Sequence, residues 1–574
     1  MNKLRNLLIK SFKNGELLKA ISDEYRIDEN LLVKELSNLH NNGDIDILNA
    51  FKKLRMKDKR FDFFTIRGIF EECLPLINAP TEDTMVCVGH LIEEAGNDGA
   101  APFTLEAYIE FCKKDVTRAK GTIQIIENHP EKWFDFLVPA IIAGVSINPS
   151  GFLTITIKFT LHPNSILRQR ATFALGRINY TENQQLIDNS YKALKNIIEN
   201  EKEGDVIANT IDPLFKLLLI DSSLEDEIIK LISQSLSNSN QSIIYAASRL
   251  FAFHLDKIPT KLLGIIINVI KTVRADEKGI ILNIDRGLKQ LLQLNFEKDA
   301  FILLEYLLIN NPKNISIKTF ERTSREITQN KILLNTIITR WFLSGNLYLC
   351  RATSDIIHLS HDENIKLSVD NSQFDINNID ACKYLSRKAI GWLYTRPLGC
   401  VSFIFSILET IGSDIEEITY LLFNPMLISY PSKLTEYLKE LKQNCSPKIL
   451  QVVNDIMQHW ELYLDGIKTS DVLPELKPSE RQKEIYSRFM SVEMSKALKK
   501  SEKESFVYKF FPSSVLLYGN KSIFYTHNSH NKTHRKELPL QELSHSVESS
   551  RLEKLDPHTL DYNLKMFRIE KLKS

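Results

Sequence analysis

The stretch HPNSILRQRATFALGRI, residues 162–178, constrains this 574-residue chain more than any other. Pro163 and Asn164 form a turn. Leu167, Ala171, Ala174, Leu175 and Ile178 then recur at three- and four-residue spacing, which builds one apolar helix face. Ala171 and Ala174 are small enough to let a neighbouring helix approach closely. The same phase returns in GDVIANTIDPLFKLLL, with Val206 in the place of Leu167, and in NQSIIYAASRLFAFHL, with Ile244 there, at steps of 39 and 38 residues. KGIILNIDRGLKQLLQL continues about one period later. A single helix pair of this length cannot bury its apolar face, whereas stacked pairs share one continuous core.

These residues resemble the second helix of a HEAT-like repeat, whose pattern runs roughly V-R-x-x-A-x-x-A-L-G. Leu167, Arg168, Ala171, Ala174, Leu175 and Gly176 stand in those positions. The match is specific over one repeat and fainter over two or three more, within about residues 150–300, and its period is slightly short of the usual 40–47 residues. The resemblance implies a mainly α fold, an α-solenoid of helix pairs. Glycine and proline are sparse, 20 and 19 residues, as suits such a stack. FLTITIKFTL alternates like a strand, but it stands where the first helix of a pair belongs, and a helix is expected.

The organisation expected along the chain has five parts. Residues 1–45 form an N-terminal helical cap and 46–150 an N-terminal helical region. HEAT-like repeats occupy 151–361, a polar break covers 362–380, and a second helical block covers 381–470. A small α+β module fills 475–574. In that module Ser479 and Gln482 form a capping box for a new helix. SVLLYGNKSIFYT suggests a β-hairpin at 514–526, with Val515–Tyr518 and Ser522–Tyr525 as strands and Gly519-Asn520 as the turn. Asp556 caps a last short helix that has Pro557 at its first position.

Composition removes several functions. Lys and Arg number 73 against 72 Asp and Glu, so no global field favours nucleic acid or an anionic membrane. The longest apolar runs reach about nine residues, and a spanning helix needs about 20. The N-terminus has no cleavable leader pattern. The seven cysteines include no CxxC pair and read as reduced core thiols. A cytoplasmic location without membrane contact is the expectation. No phosphate-binding glycine loop, dinucleotide fingerprint or nucleophile elbow occurs, and no cofactor is expected.

The candidate sites lie mostly near the C-terminus. Five of the 13 histidines are His527, His530, His534, His545 and His558. HNSHNKTH has ligand-like spacing, but its Asn, Ser, Thr and Lys read as a polar loop, and no metal is expected. HSVESSRLEKLD holds His545, Glu548, Arg551, Glu553 and Asp556. That is the inventory of an acid–base site and equally of an ion-pair latch or partner contact. His90 with Glu93 and Glu94, and Asp355 with His358, His361 and Asp362, have helix-face and helix-end readings. LLKAISDEYRIDENLLVKELSNL is similar to a helix-turn-helix, but its second helix is more acidic than basic, and phosphate contact needs the reverse. Residues 480–574 carry 18 Lys and Arg against 12 Asp and Glu. Lys496, Lys499, Lys500, Lys532, Arg535 and Lys536 are therefore the candidate residues for binding a partner or nucleic acid.

The function expected is a non-enzymatic repeat scaffold with a protein partner. An accessory subunit of a bacterial multi-protein system, such as anti-phage defence, is the setting that composition suggests. The alternatives are a nucleic-acid binder using the basic C-terminal region and an atypical enzyme with a site in 545–556.

Overall fold

The computed structural model describes residues 2–572 apart from 26–27, 59, 61, 97–100, 181–182, 238–239, 361, 363, 412–415, 471–477, 505–520, 528–532 and 540–547. The chain divides into two compact units, residues 1–326 and 327–574. The polar stretch 362–380 lies inside the second.

The repeats form the core of the first unit. Helices α1 (Pro149–Thr160), α2 (Ser165–Leu175), α3 (Gln184–Asn200), α4 (Gly204–Ala208), α5 (Ile211–Ile220), α6 (Glu225–Leu236), α7 (Gln241–Phe253), α8 (Thr260–Ile270) and α9 (Lys278–Gln293) follow one another. Packing sorts them into two layers. In one layer α1 packs on α3, α3 on α6 and α6 on α8; in the other α2 packs on α4 and α5, these on α7, and α7 on α9. This is the connectivity of a HEAT-like helical-repeat stack.

The stretch with strand-like alternation is helical, as its place in the repeat requires. Phe152, Leu153, Thr156, Phe159 and Thr160 are buried at helical spacing, and the Thr156 hydroxyl donates to the Phe152 carbonyl. The side chain of Asn148 accepts from Gly151 N–H and caps the helix. Asparagine does this repeatedly: Asn164, Asn183 and Asn240 cap α2, α3 and α7. Its abundance is thereby put to structural use, since Asn is among the best N-cap residues.

Side-chain hydrogen bonds mark the repeat length in both units. They join residues 31 to 42 apart, one helix pair to the next. Examples are Asn41 to the Leu76 carbonyl, Ser242 to Asp205, Thr336 to Asp370, and Tyr384 to the Phe342 carbonyl. Leu167, Ala171, Ala174 and Leu175 are fully buried, as their spacing predicts. Ala171→Phe should overpack this contact and destabilise by about 1–3 kcal/mol. A thermal melt indistinguishable from wild type would remove the packing assigned to α2.

In the second unit, α10 (Ile379–Leu393), α11 (Pro397–Thr410), α12 (Pro431–Leu441) and α13 (Pro447–Ser470) continue the helical packing. Residues 367–370 lie between helices, with Leu367 and Val369 buried. Their backbone N–H groups donate to Ser402, Asn335, Ser406 and Thr339 side chains. Polar residues there are bound in place of a sheet partner. After α13 come α14 (Glu480–Glu504), strands β1 (Lys521–His527) and β2 (Thr533–Pro539), and helices α15 (Leu552–Leu555) and α16 (Pro557–Ile569).

The hairpin expected at 514–526 is not supported. Residues 515–520, which were to supply its first strand and turn, lie outside the described residues. The strand at 521–527 pairs instead with 533–539, antiparallel, Ile523 opposite Glu537 and Tyr525 opposite Arg535. The hydrophobic pattern marked a strand correctly at Ser522–Tyr525 and chose the wrong neighbour, because THRKELP carries no apolar alternation to advertise itself.

Six of the cysteines are buried and Cys445 is partly so, all as free thiols. Burial pushes the Cys73, Cys87 and Cys350 thiols up to about 12. Thiols so raised are poor nucleophiles at neutral pH.

Candidate protein-interaction surfaces

Helix α14 begins with the capping box read from the sequence. Gln482 N–H donates to the Ser479 hydroxyl, and the Gln482 side chain accepts from Ser479 N–H. Residues 480–503 of the helix are all exposed. Ile485, Phe489 and Met494 are 59%, 59% and 66% exposed, and Tyr486, Met490, Val492 and Leu498 are also open. Lys496, Lys499 and Lys500 follow on the same helix; Lys496 pairs with Glu493 at 2.8 Å. The Lys554 ammonium lies 5.5 Å from the Tyr486 ring of this helix.

The chain returns from this excursion through a dense set of polar contacts within the second unit. The Glu548 carboxylate accepts from Ser432 N–H at 2.7 Å and Lys433 N–H at 2.9 Å, which caps the first turn of α12 and complements its dipole. Arg551 N–H donates to the Ser429 carbonyl. The Tyr394 hydroxyl bonds both Ser429 and the buried Ser550. Asp556 caps α16 through Thr559 N–H, with Pro557 at the first position.

Helix α16 then packs on α10 and on the helix Leu347–Leu359. The Arg387 guanidinium holds Glu570 bidentately at 2.9 and 2.8 Å and also pairs with Glu417. These carboxylates hold Arg387 charged against the desolvation of its half-buried site. Lys388 is fully buried, and its ammonium donates to the Arg568 carbonyl at 2.7 Å. Burial pushes its pKa down. Arg568 in turn donates to the Gly391 carbonyl and lies 5.4 Å from the Trp392 ring.

The candidate residues are thus separated by environment. Glu548 and Arg551 belong to the latch, where the Glu548 oxygens are engaged by backbone donors. His545 and Lys532 lie outside the described residues, as does His530. Arg535 and Lys536 sit on β2, with Arg535 exposed and paired with Glu537. His527 and His534 are on the two strands, opposite Thr533 and Thr526.

The other histidine groups serve local structure. His90 bonds the Leu54 carbonyl and Arg55, while Glu94 accepts from Met56 N–H, so helix Thr81–Ala95 holds the preceding turn. His358 bonds the Ser354 carbonyl and faces Thr395. The helix-turn-helix-like segment forms helices Leu17–Glu24 and Glu29–Asn41, the second capped by Asp28. Among the described residues no three His, Cys, Asp or Glu side chains converge as a metal site would need. No described helix is long and apolar enough to cross a membrane.

No protein-family profile matches the chain, and no curated protein sequence does. Among solved structures the chain is similar to the Pds5–Scc1 complex at 11% identity, covering 87% of this chain and 85% of that one, with a TM-score of 0.30. It is similar to the TSC2 N-terminus at 14% identity, covering 79% and 98%, and to SYS-1 at 12%, covering 77% and 87%, both with a TM-score of 0.20. These superpositions are too loose to add to the fold read from the packing itself.

Proposed function

We propose that the protein is a non-enzymatic helical-repeat scaffold that binds a protein partner, with α14 as one of its contact elements. The observation that carries this reading is the exposure of α14. An isolated helix is marginal in water, and its stability ordinarily comes from packing an apolar face. This one is about 37 Å long by its residue count. It presents Ile485, Tyr486, Phe489, Met490 and Val492 to solvent within two turns, a denser apolar cluster than singly scattered surface residues. Such a helix suits insertion into a partner's apolar groove. Lys496, Lys499 and Lys500 beyond the apolar part would meet an acidic rim.

The latch around Glu548 and Arg551 supports the same reading, because it fixes both the return point of the arm and the end of the helical packing. It also weighs against catalysis at 545–556. The bacterial, anti-phage setting rests on composition alone, and the fold adds nothing to it.

The test is capture from the native host with tagged wild-type chain and with two variants, each with and without nuclease treatment. One variant carries Phe489→Glu and Met490→Glu; the other carries Lys496→Glu, Lys499→Glu and Lys500→Glu. A stoichiometric protein retained by wild type should be lost from the first and weakened in the second. Both variants should melt with wild type, since exposed charges contribute little to stability. Retention that survives both variants would move the contact away from α14. Retention abolished by nuclease alone would favour the nucleic-acid reading.

A further inference from the structure

The first unit carries a groove that the repeat phase builds and that no single helix reveals. Its floor is α4 and α5. Asp205, Asn209, Asp212, Lys216 and Leu219 step along it at four- and three-residue spacing, one helical stripe. Helices α2 and α7 form the walls. Two cavities of about 460 and 220 Å³ lie end to end along the stripe and share Asp212 and Arg249, which pair at 3.2 Å. From Asp205 to Leu219 the groove runs about 20 Å at helical rise. That accommodates about six residues of extended chain.

The groove is polarised. At one end stand Asp205 and Glu277, of which Glu277 is also paired with Arg274 and Asp205 accepts from Ser242. At the other stand Arg177, Lys216 and His254 around Phe173, Phe215 and Leu219, and the Asp212–Arg249 pair lies between the two ends. Asp205 and Asp212 lie in the first turns of α4 and α5, where a carboxylate complements the helix dipole. No basic residue stands in the last turn of α2, α5 or α7, so the helix dipoles do not place the cations. Burial, then the neighbouring Arg177, push the pKa of Lys216 down. Arg177 has a ring neighbour in Phe173, at 5.0 Å, and no carboxylate among the described residues. At the acidic end the buried Gln241 amide nitrogen has no acceptor among the described residues.

We propose that this groove binds an extended segment of a partner protein, about six residues with acidic and apolar side chains at one end and a basic side chain at the other. The proposal rests on the scaffold reading and names the chemistry of what the repeats hold. Carboxylates of the segment sit over Arg177 and Lys216, and its apolar side chains beside them cover Phe173 and Leu219. Its basic residue meets Asp205 and Glu277. A nucleic-acid strand fits less well, because Asp205 and Asp212 would face its phosphates.

The experiment is selection of random twelve-residue peptides displayed on phage against the full-length chain, followed by fluorescence anisotropy of the enriched peptide. Enriched sequences should place acidic and apolar residues at one end and a basic residue at the other. Arg177→Glu and Leu219→Glu, both at exposed positions, should each weaken the enriched peptide by about tenfold or more with melting temperatures unchanged. No enrichment, enrichment without charge separation, or unchanged affinity in both folded variants overturns the proposal. A chain that still captures its partner through α14 but enriches no peptide loses the groove and keeps the scaffold reading.

Discussion

A chain ending at Asp556 should lose most of the stability of its second unit. The truncation removes α16, with buried Leu560 and Leu564 and half-buried Phe567, and bares the face of α10 that they cover. Each fully buried large apolar side chain contributes about 1.5–3 kcal/mol, and the newly exposed face of α10 adds a comparable amount. A loss of about 5 kcal/mol or more is a large part of the 5–15 kcal/mol that holds a domain together. The close fit amplifies it: a Cβ added at Gly391 would lie 3.1 Å from that of Phe567. Thermal melting should show an early transition, and protease should cut within 379–393 of the truncated chain. A melt within about 2 °C of wild type would mean that α16 rests on the unit without supporting it. Lys388→Met separates charge from burial. Removing this buried donor leaves the Arg568 carbonyl without its partner, which costs about 1–3 kcal/mol, so this variant should destabilise by about that amount, less than the truncation.

The second large effect concerns the first unit. Phe251 on α7 is fully buried against Gly287 on α9, where an added Cβ would stand 2.1 Å from the ring. Phe251→Ala should cost about 3–5 kcal/mol, because a glycine wall has no side chain to collapse into the cavity. Gly287→Ala should also destabilise wild type, its overpacking exceeding the roughly 1 kcal/mol that Ala gains over Gly in a helix. In the Phe251→Ala background the sign should reverse, since the added methyl then fills space and keeps the helix preference. A double-mutant cycle by denaturant unfolding reads this directly. Additive effects would show that the two residues do not meet.

The repeat phase was legible where small residues set it. Leu167, Ala171 and Ala174 announce a helix that must be approached closely, and the 39- and 38-residue steps carry the register onward. Caps were legible as well, at Ser479 and Asp556, because a cap is decided within four residues. The return of α16 onto α10 was not. Arg387 and Glu570 lie 183 residues apart, and nothing local in either segment names the other. Glu548 illustrates the same limit. Its neighbours suggest a titrating cluster, and only the fold shows that its oxygens are taken by backbone donors of a distant helix. The groove charges escaped for the opposite reason. Asp205 and Arg177 look like ordinary helix-end residues and Lys216 like an ordinary helix-face lysine, and their juxtaposition comes from helices standing side by side.

The central claim, a scaffold whose arm helix waits for a protein, is tested most directly by hydrogen–deuterium exchange on the full chain, alone and with the protein it retains. Residues 480–504 should exchange fast in the free chain, as a helix with no packed face does, and should become protected in the complex while α10 and α16 stay unchanged. Equal exchange of 480–504 in both states, with protection elsewhere or nowhere, would contradict it.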